Sequence, residues 1–311
     1  MEIRQNSHDI GGLQPDGCRV LSAKFSVPLY HSTVYDLRHP LGIYNVSFDA
    51  ILENFQSVLN ELEVLLAEKP FQDPQSPPSN VLLEKQRNLL YSLMEHMDDC
   101  SNILMGFFPT KRDFSESGHV KSYKKSIKEY RKVIGKVVNH LKHKQGVLRS
   151  VVLYGDEFAC PGYYVEGVDR DGTVGPARHI HKGGNTAFSF SRNLRYHLVN
   201  LYVVSRHLTS TINDIVGSKK VSVVPEIKES KDRKVAEVVA RVSDLPMMFF
   251  PDEVKLPIPS TKFEGKKEEG IEIVLTYPDN NANVQRTPLF AKVCLQIQGD
   301  GVSRSFKLLY R

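Results

Sequence analysis

An arginine, an asparagine and a histidine lie close together at the start of a long apolar segment. Arg192, Asn193 and His197 fall within about one and a half helical turns. Asn193 and His197 share a helix face because they are four residues apart. An arginine guanidinium is a permanent cation whose planar donors suit a phosphate, and a histidine can exchange a proton near neutral pH. These three side chains are therefore candidates for cleaving RNA without a metal ion.

The same spacing of asparagine and histidine occurs a second time upstream, at Asn139 and His143. Val138 stands where the first set has its arginine. Lys136 or Lys142 could supply a cation there, but without the bidentate geometry of a guanidinium. The sequence leaves open whether one of these sets works alone or whether two packed helices form a composite site.

The segment from Lys121 to Arg149 is strongly basic. It holds ten lysines and arginines against one acidic residue, Glu129, whereas the formal net charge of the whole chain is +5. Concentrated positive charge attracts polyanions, so the segment is a candidate nucleic-acid-binding surface, although a lysine-rich face is also typical of solvated surface. The lysines expected to contact nucleic acid are Lys121, Lys124, Lys125, Lys128, Lys132, Lys136 and Lys142.

Length and composition are those of a soluble globular protein. The chain has 311 residues, of which 41% are apolar and 25% charged, and this length favours two domains. No run approaches the roughly 18 apolar residues of a membrane helix, and the first residues lack the apolar core of a secretory leader. We therefore expect a cytoplasmic protein that does not interact with a membrane.

We expect no metal and no cofactor. The four cysteines are widely scattered, which favours buried free thiols over a metal site or a disulfide framework. His179 and His181 could bind zinc with Cys160 or His119, but no spacing argues for a third ligand, and loop histidines are the better interpretation. Glycine-rich phosphate loops and nucleophile-elbow motifs are absent from the sequence.

Apolar spacing predicts four helices followed by a mostly β region. The first two helices would begin at N-caps Ser47 and Ser79, the third carries the basic segment and ends near Gly146, and the fourth spans residues 192–216. Strands are expected at residues 147–153, 162–168, 221–224, 235–242, 271–277, 290–297 and 305–310.

These elements predict an α+β fold, with a helical bundle core that carries a β-rich insertion and is followed by a mostly β C-terminal domain. Residues 1–46 form an extended N-terminal segment, residues 47–216 a helical domain with the insertion at about 147–182, and residues 217–311 the β-rich C-terminal domain.

The pattern of Arg192, Asn193 and His197 near a helix start, within a run of about four helices, resembles the HEPN superfamily over at most residues 47–216. Many members of that family are metal-independent endoribonucleases of toxin and antiviral systems. The resemblance implies that His197 acts as general acid or base when a ribose 2′-hydroxyl attacks the adjacent phosphate. It further implies that Arg192 stabilises the phosphate charge, that Asn193 orients the histidine or the phosphate, and that a homodimer shares the site.

The expected function is that of a metal-independent endoribonuclease or RNA-binding protein of a microbial defence or toxin type, with RNA and a second copy or another protein as partners. The alternative is a non-catalytic scaffold or interaction protein in a larger assembly. A DNA-binding regulator is a third hypothesis, without a helix-turn-helix signature to support it. An active nuclease needs Arg192 and His197 accessible and close together, whereas a scaffold tolerates both in a packed core.

Overall fold

The computed structural model describes most of the chain. The described residues are 1–8, 12–25, 27–67, 80–144, 146–154, 159–170, 172–181, 187–217, 220–221, 229–250, 253, 256, 259–266, 270–277, 292–295 and 304.

Helices make up most of the described structure. They are α1 (Asp16–Ser22), α2 (His31–Tyr35), α3 (Pro40–Ala67), α4 (Asn80–Met105), α5 (Lys111–Glu116), α6 (Gly118–Ser126), α7 (Lys128–His143), α8 (Phe190–Val216) and α9 (Glu229–Asp244).

The strands form small antiparallel sheets. They are β1 (Glu2–Asn6), β2 (Lys24–Phe25), β3 (Leu148–Tyr154), β4 (Ala159–Val168), β5 (Val174–Pro176), β6 (Phe188–Ser189), β7 (Lys220–Val221), β8 (Ser260–Lys266), β9 (Gly270–Thr276) and β10 (Lys292–Leu295). One sheet has the order β1-β9-β8, a second has the order β10-β3-β4-β5 with β6 also paired to β4, and β2 pairs with β7. Helices and antiparallel strands together confirm the predicted α+β class.

The long helices form where apolar residues recur at intervals of three and four, and these residues face one continuous core. Phe48, Ile51 and Phe55 of α3 are fully buried because this spacing places them on one helix face. Leu194 and Leu198 of α8 are buried in the same core. The predicted bounds of the fourth helix are close to those observed, and α8 starts two residues earlier, after the N-cap Ser189.

The predicted start of the first helix at Ser47 is wrong. Helix α3 begins at Pro40, and Ser47 lies within it as a buried residue whose hydroxyl lies 2.8 Å from Nδ1 of His96 on α4. Residues 1–46 are likewise not simply extended, since they contain α1, α2 and the first turns of α3. The predicted cap Ser79 lies outside the described residues.

The strand predicted at residues 235–242 is also wrong, because this segment belongs to α9. Val235, Val238, Val239 and Val242 are all buried. Their intervals of three, one and three residues place them on one face of a helix. Valine favours strands in general, but here the helical spacing decides the local structure.

The basic segment is divided between two helices and a strand. Helices α6 and α7 meet at Ile127, so the lysines do not lie on one uninterrupted helix. Arg149 lies in β3, where it is buried and paired with Glu166. It is therefore not part of the exposed basic surface.

Several strands of residues 217–311 pair with segments from other parts of the chain, although β8 pairs with β9 within this region. Strand β9 pairs with β1, and β10 pairs with β3 of the predicted insertion. The strands expected at 271–277 and 290–297 correspond to β9 and β10, and β7 covers the start of the strand expected at 221–224. The remainder of 221–224 and the strand expected at 305–310 lie outside the described residues.

Among the helices that the structure describes, none is both long and apolar enough to cross a membrane. Cys18, Cys100 and Cys160 are free and buried, as predicted. The side chain of Cys294 lies outside the described part of the chain.

Candidate functional site

The first turns of α8 hold Arg192, Asn193 and His197. The hydroxyl of Ser189 accepts a hydrogen bond from the Arg192 amide, which fixes the start of the helix. The exposed fractions of Arg192, Asn193 and His197 are 8%, 7% and 2%. The structure therefore brings the three predicted side chains into one region, but it places them inside the packed core.

Asn193 links α8 to two other elements. Its Oδ1 accepts a 2.8 Å hydrogen bond from the Tyr163 hydroxyl of β4 and a 3.1 Å bond from Nε2 of Gln86 of α4. Both neighbouring residues are buried. The asparagine amide is thus engaged with the protein, and its observed role is to join a helix to the sheet and to α4.

His197 is held by an aromatic neighbour from the basic segment. Its Nδ1 lies 3.2 Å from the hydroxyl of Tyr130, on α7. Within the described residues its Nε2 has no hydrogen-bond partner. Burial lowers the pKa of His197 to about 3, and the positive charge of Arg192 adds to this effect. His197 is therefore neutral at pH 7 and closed to solvent.

A buried carboxylate, Glu253, faces the same region and was not expected from the sequence. It is 0% exposed and accepts 3.0 Å hydrogen bonds from the backbone amides of Ser189 and Phe250. Burial raises its pKa, while the charge of Arg192 and these hydrogen bonds oppose the increase. Glu253 follows Phe249 and Phe250 by a few residues in the sequence, but nothing in the sequence connects it to Arg192.

Arg192 therefore has protein groups around it. Its guanidinium carbon lies 5.7 Å from the centre of the Tyr196 ring, and its charge interacts with that of Glu253. A phosphate would reach Arg192 and His197 only if the N-terminal end of α8 separated from its neighbours. In the arrangement seen here, Asn193 and Glu253 have hydrogen-bond partners in the core, as buried polar groups usually do.

The lysines of the basic segment have the opposite environment. All seven that the sequence indicated are exposed: Lys121, Lys124 and Lys125 on α6, and Lys128, Lys132, Lys136 and Lys142 on α7. The apolar residues of both helices face the core, so the lysines are left on the solvent side.

Five side chains on α7 form one row, which we call the basic stripe: Lys128, Lys132, Lys136, Asn139 and His143. Successive members are four, four, three and four residues apart, so they share one helix face. All five are exposed. The second asparagine–histidine set therefore lies in solvent and continues a row of lysines, in contrast to the buried set on α8.

Few acidic groups neutralise the basic stripe. Lys132 lies 3.7 Å from Glu129, and Arg131, beside the stripe, pairs with Asp98 of α4 at 2.6 Å. Within the described part of the chain, Lys128 and Lys136 have no carboxylate within salt-bridge distance. The stripe is consequently a region of uncompensated positive charge that can attract a polyanion.

The histidines considered for zinc do not form a metal site. Nε2 of His181 accepts a 2.9 Å hydrogen bond from the amide of Val165, and the ring of His179 lies 4.8 Å from that of His140. No group of three or more histidine, cysteine or acidic side chains is placed to hold a metal ion among the residues that the structure describes.

Comparisons of the chain with family models, with curated proteins and with solved structures found no match.

Proposed function

We propose that the protein binds RNA through the basic stripe of α7 and the neighbouring lysines of α6. The observation that carries this proposal is the exposed row Lys128, Lys132 and Lys136, opposed only by Glu129 along α7. A row of lysines at one-turn intervals, each about 6 Å further along the helix, can follow the phosphates of a nucleic-acid backbone. Such contacts give affinity with little sequence preference.

Charge reversal on the stripe tests this proposal. The variant Lys128→Glu/Lys132→Glu/Lys136→Glu should bind a fluorescently labelled RNA about tenfold more weakly than the wild type, as measured by fluorescence anisotropy. The matched control is Arg233→Glu/Lys234→Glu/Lys262→Glu, which changes the net charge equally at exposed positions on α9 and β8.

The control variant should retain most of the affinity. Equal losses in both variants would show that only the net charge matters, and an unchanged stripe variant would place the RNA elsewhere. Either result overturns the proposal.

RNA cleavage is a second candidate function, at the exposed Asn139 and His143 instead of the buried α8 set. The observation in its favour is that His143 is exposed on the stripe, where a bound phosphate would lie, with Lys136 on the same helix face. His143 would take the proton of the 2′-hydroxyl as its oxygen bonds to the adjacent phosphorus, the bond from phosphorus to the 5′-oxygen would break, and the leaving 5′-oxygen would take a proton from the resulting imidazolium or from water. Lys136 would supply positive charge near the phosphate.

This second candidate is tested by incubating the protein with a mixed RNA pool in EDTA. The exposed set is supported if the wild type and His197→Ala cleave the RNA and His143→Ala does not. If only His197→Ala removes cleavage, the α8 set is the active one. Intact RNA with the wild type would leave binding as the function.

We also propose that residues 47–216 form a helical bundle core related to the HEPN superfamily and that a β-rich C-terminal domain follows it. This relationship would make the protein a homodimer with a role in microbial defence or as a toxin. The burial of Arg192 and His197 favours the non-catalytic form of this hypothesis. In that form the protein is a scaffold that binds RNA or protein partners. Light scattering of the purified protein, with and without RNA, tests for the homodimer.

A further inference from the structure

A groove opens between the first turns of α4 and the start of β3. Its volume is about 310 Å³, and its lining residues are Asn80, Leu83, Glu84, Arg87, Gly146, Val147, Leu148 and Arg149. Gly146, on the side of the groove formed by the start of β3, lies three residues beyond the end of α7. The groove is therefore reached from the C-terminal end of the basic stripe.

The walls of the groove combine apolar surface with arginine side chains that are paired to carboxylates. Val147 is 42% exposed, and Leu83 and Leu148 form apolar surface behind it. The Arg87 side chain is 48% exposed and lies 4.0 Å from Glu84. Arg149 is buried against Glu166, which also binds Arg304 at 3.3 Å, so two guanidinium groups share one carboxylate.

A cation, an aromatic ring and an arginine lie between the stripe and the groove. The Lys142 ammonium lies 4.9 Å from the centre of the Tyr91 ring on α4. Tyr91 and Arg87 are four residues apart on that helix and share a face. A polyanion on the stripe therefore meets Lys142, then the Tyr91 ring and then Arg87, in the direction of the groove.

We propose that this groove receives one unpaired nucleotide of an RNA strand whose backbone lies along the basic stripe, so that the protein prefers single-stranded to double-stranded RNA. The proposal rests on the RNA-binding function proposed above. A volume of about 310 Å³ is at the lower end of the range for small-molecule sites, roughly 300–1,000 Å³. It suits a single nucleotide and excludes a duplex.

The chemistry of the lining fits such a nucleotide. An unstacked base can pack its flat face on apolar side chains and on an arginine guanidinium, and here Val147 and Arg87 offer these surfaces. The bases of a duplex are stacked and paired, so a duplex could use only the charge of the stripe. The groove therefore adds affinity for the single strand alone.

Blocking the groove tests the inference. Val147→Glu places a bulky negative group at its mouth, and Val46→Glu adds the same charge at a 56% exposed position on α3. Affinities for a labelled single strand and for the same strand annealed to its complement are measured by anisotropy. Val147→Glu should weaken binding of the single strand about fivefold and change duplex binding no more than Val46→Glu does.

Arg87→Ala provides a second variant, since removal of an exposed side chain is compatible with folding even if Val147→Glu is not. It should also reduce the affinity for the single strand more than for the duplex. If the wild type binds neither RNA, the proposed function itself fails. If the wild type binds both, and the groove variants either match Val46→Glu or weaken both RNAs equally, the function stands and the groove inference is overturned.

Discussion

The guanidinium of Arg195 donates a 2.6 Å hydrogen bond to the backbone carbonyl of Leu245, just beyond the C-terminal end of α9. The same group donates to the carbonyls of Ser243 and Ser191. Burial lowers the pKa of Arg195 to about 10, which still leaves it charged at neutral pH. A cation at a helix C-terminus also complements the helix dipole, so Arg195 joins α8 to α9.

Replacing this arginine should destabilise the protein strongly. Arg195→Met removes the donors for three carbonyls and should lower the free energy of unfolding by about 3 kcal/mol or more, as measured by urea denaturation. Arg112→Ala serves as the control, because Arg112 is 82% exposed and pairs with Glu116 at the surface. The control should change stability by less than about 0.5 kcal/mol. A small effect of Arg195→Met would contradict the role assigned to Arg195.

The buried histidines should make the protein less stable in acid. Burial lowers the pKa of His197 to about 3 and that of His96 to about 4. The unfolded chain then binds protons that the folded protein excludes. The contribution of these histidines to stability is fully present above their ordinary pKa of about 6.5. It is lost as the pH falls from there towards their pKa values in the folded protein.

The contribution of His197 can be isolated with His197→Phe. Between about pH 7.5 and about pH 5, one such histidine costs about 2 kcal/mol of stability. Urea denaturation at the two pH values should therefore show a smaller loss for His197→Phe than for the wild type. An equal loss in both proteins would mean that His197 is protonated in the folded state, which requires access to water.

The carboxylate of Glu166 should contribute strongly to stability, since it is 12% exposed and binds both Arg149 and Arg304. Glu166→Gln removes the carboxylate charge that these two guanidinium groups share and should cost about 3 kcal/mol. Arg178→Ala is the matched control, since it breaks an ion pair whose arginine is 82% exposed. That variant should cost less than about 1 kcal/mol in the same denaturation experiment. If the two variants lowered the free energy of unfolding by similar amounts, the burial of Glu166 would not strengthen its ion pairs.

The salt dependence of RNA binding should show which lysines of the basic stripe contact a phosphate. Each lysine that contacts a phosphate contributes about 0.7 to the slope of log affinity against log salt for a single strand. Lys136→Gln should therefore reduce the slope by about that amount, whereas Lys262→Gln, at an exposed position on β8, should leave it unchanged. Identical slopes for both variants would show that Lys136 does not contact the phosphate.

The elements that could be predicted from the sequence are those in which a long apolar face dominates. Helix α8 is such a case, since Leu194, Leu198 and their successors recur with a clear helical period. For α9 the same information was present in the spacing of its valines, but the β preference of valine led to the wrong element. Spacing was the better guide because all four valines face one core.

The candidate site was predictable in its residue types but not in its exposure. The sequence placed Arg192 and His197 on one helix, yet their burial depends on Tyr130 and on Glu253, which lie far from them in the chain. A short motif contains no information on such distant neighbours. The lysines of α7 were easier to predict, because a charged row on the face opposite an apolar stripe lies in solvent.

The pairing of β1 with β9 has a consequence for synthesis on the ribosome. The amino group of Met1 bonds to the carbonyl of Tyr277, 276 residues away, and Glu2 lies opposite Thr276 in the register. At roughly 5–20 residues per second, translation needs tens of seconds to deliver that partner. Strand β1 is thus synthesised well before its partner β9, so this sheet can close only after the segment between the two strands has been made.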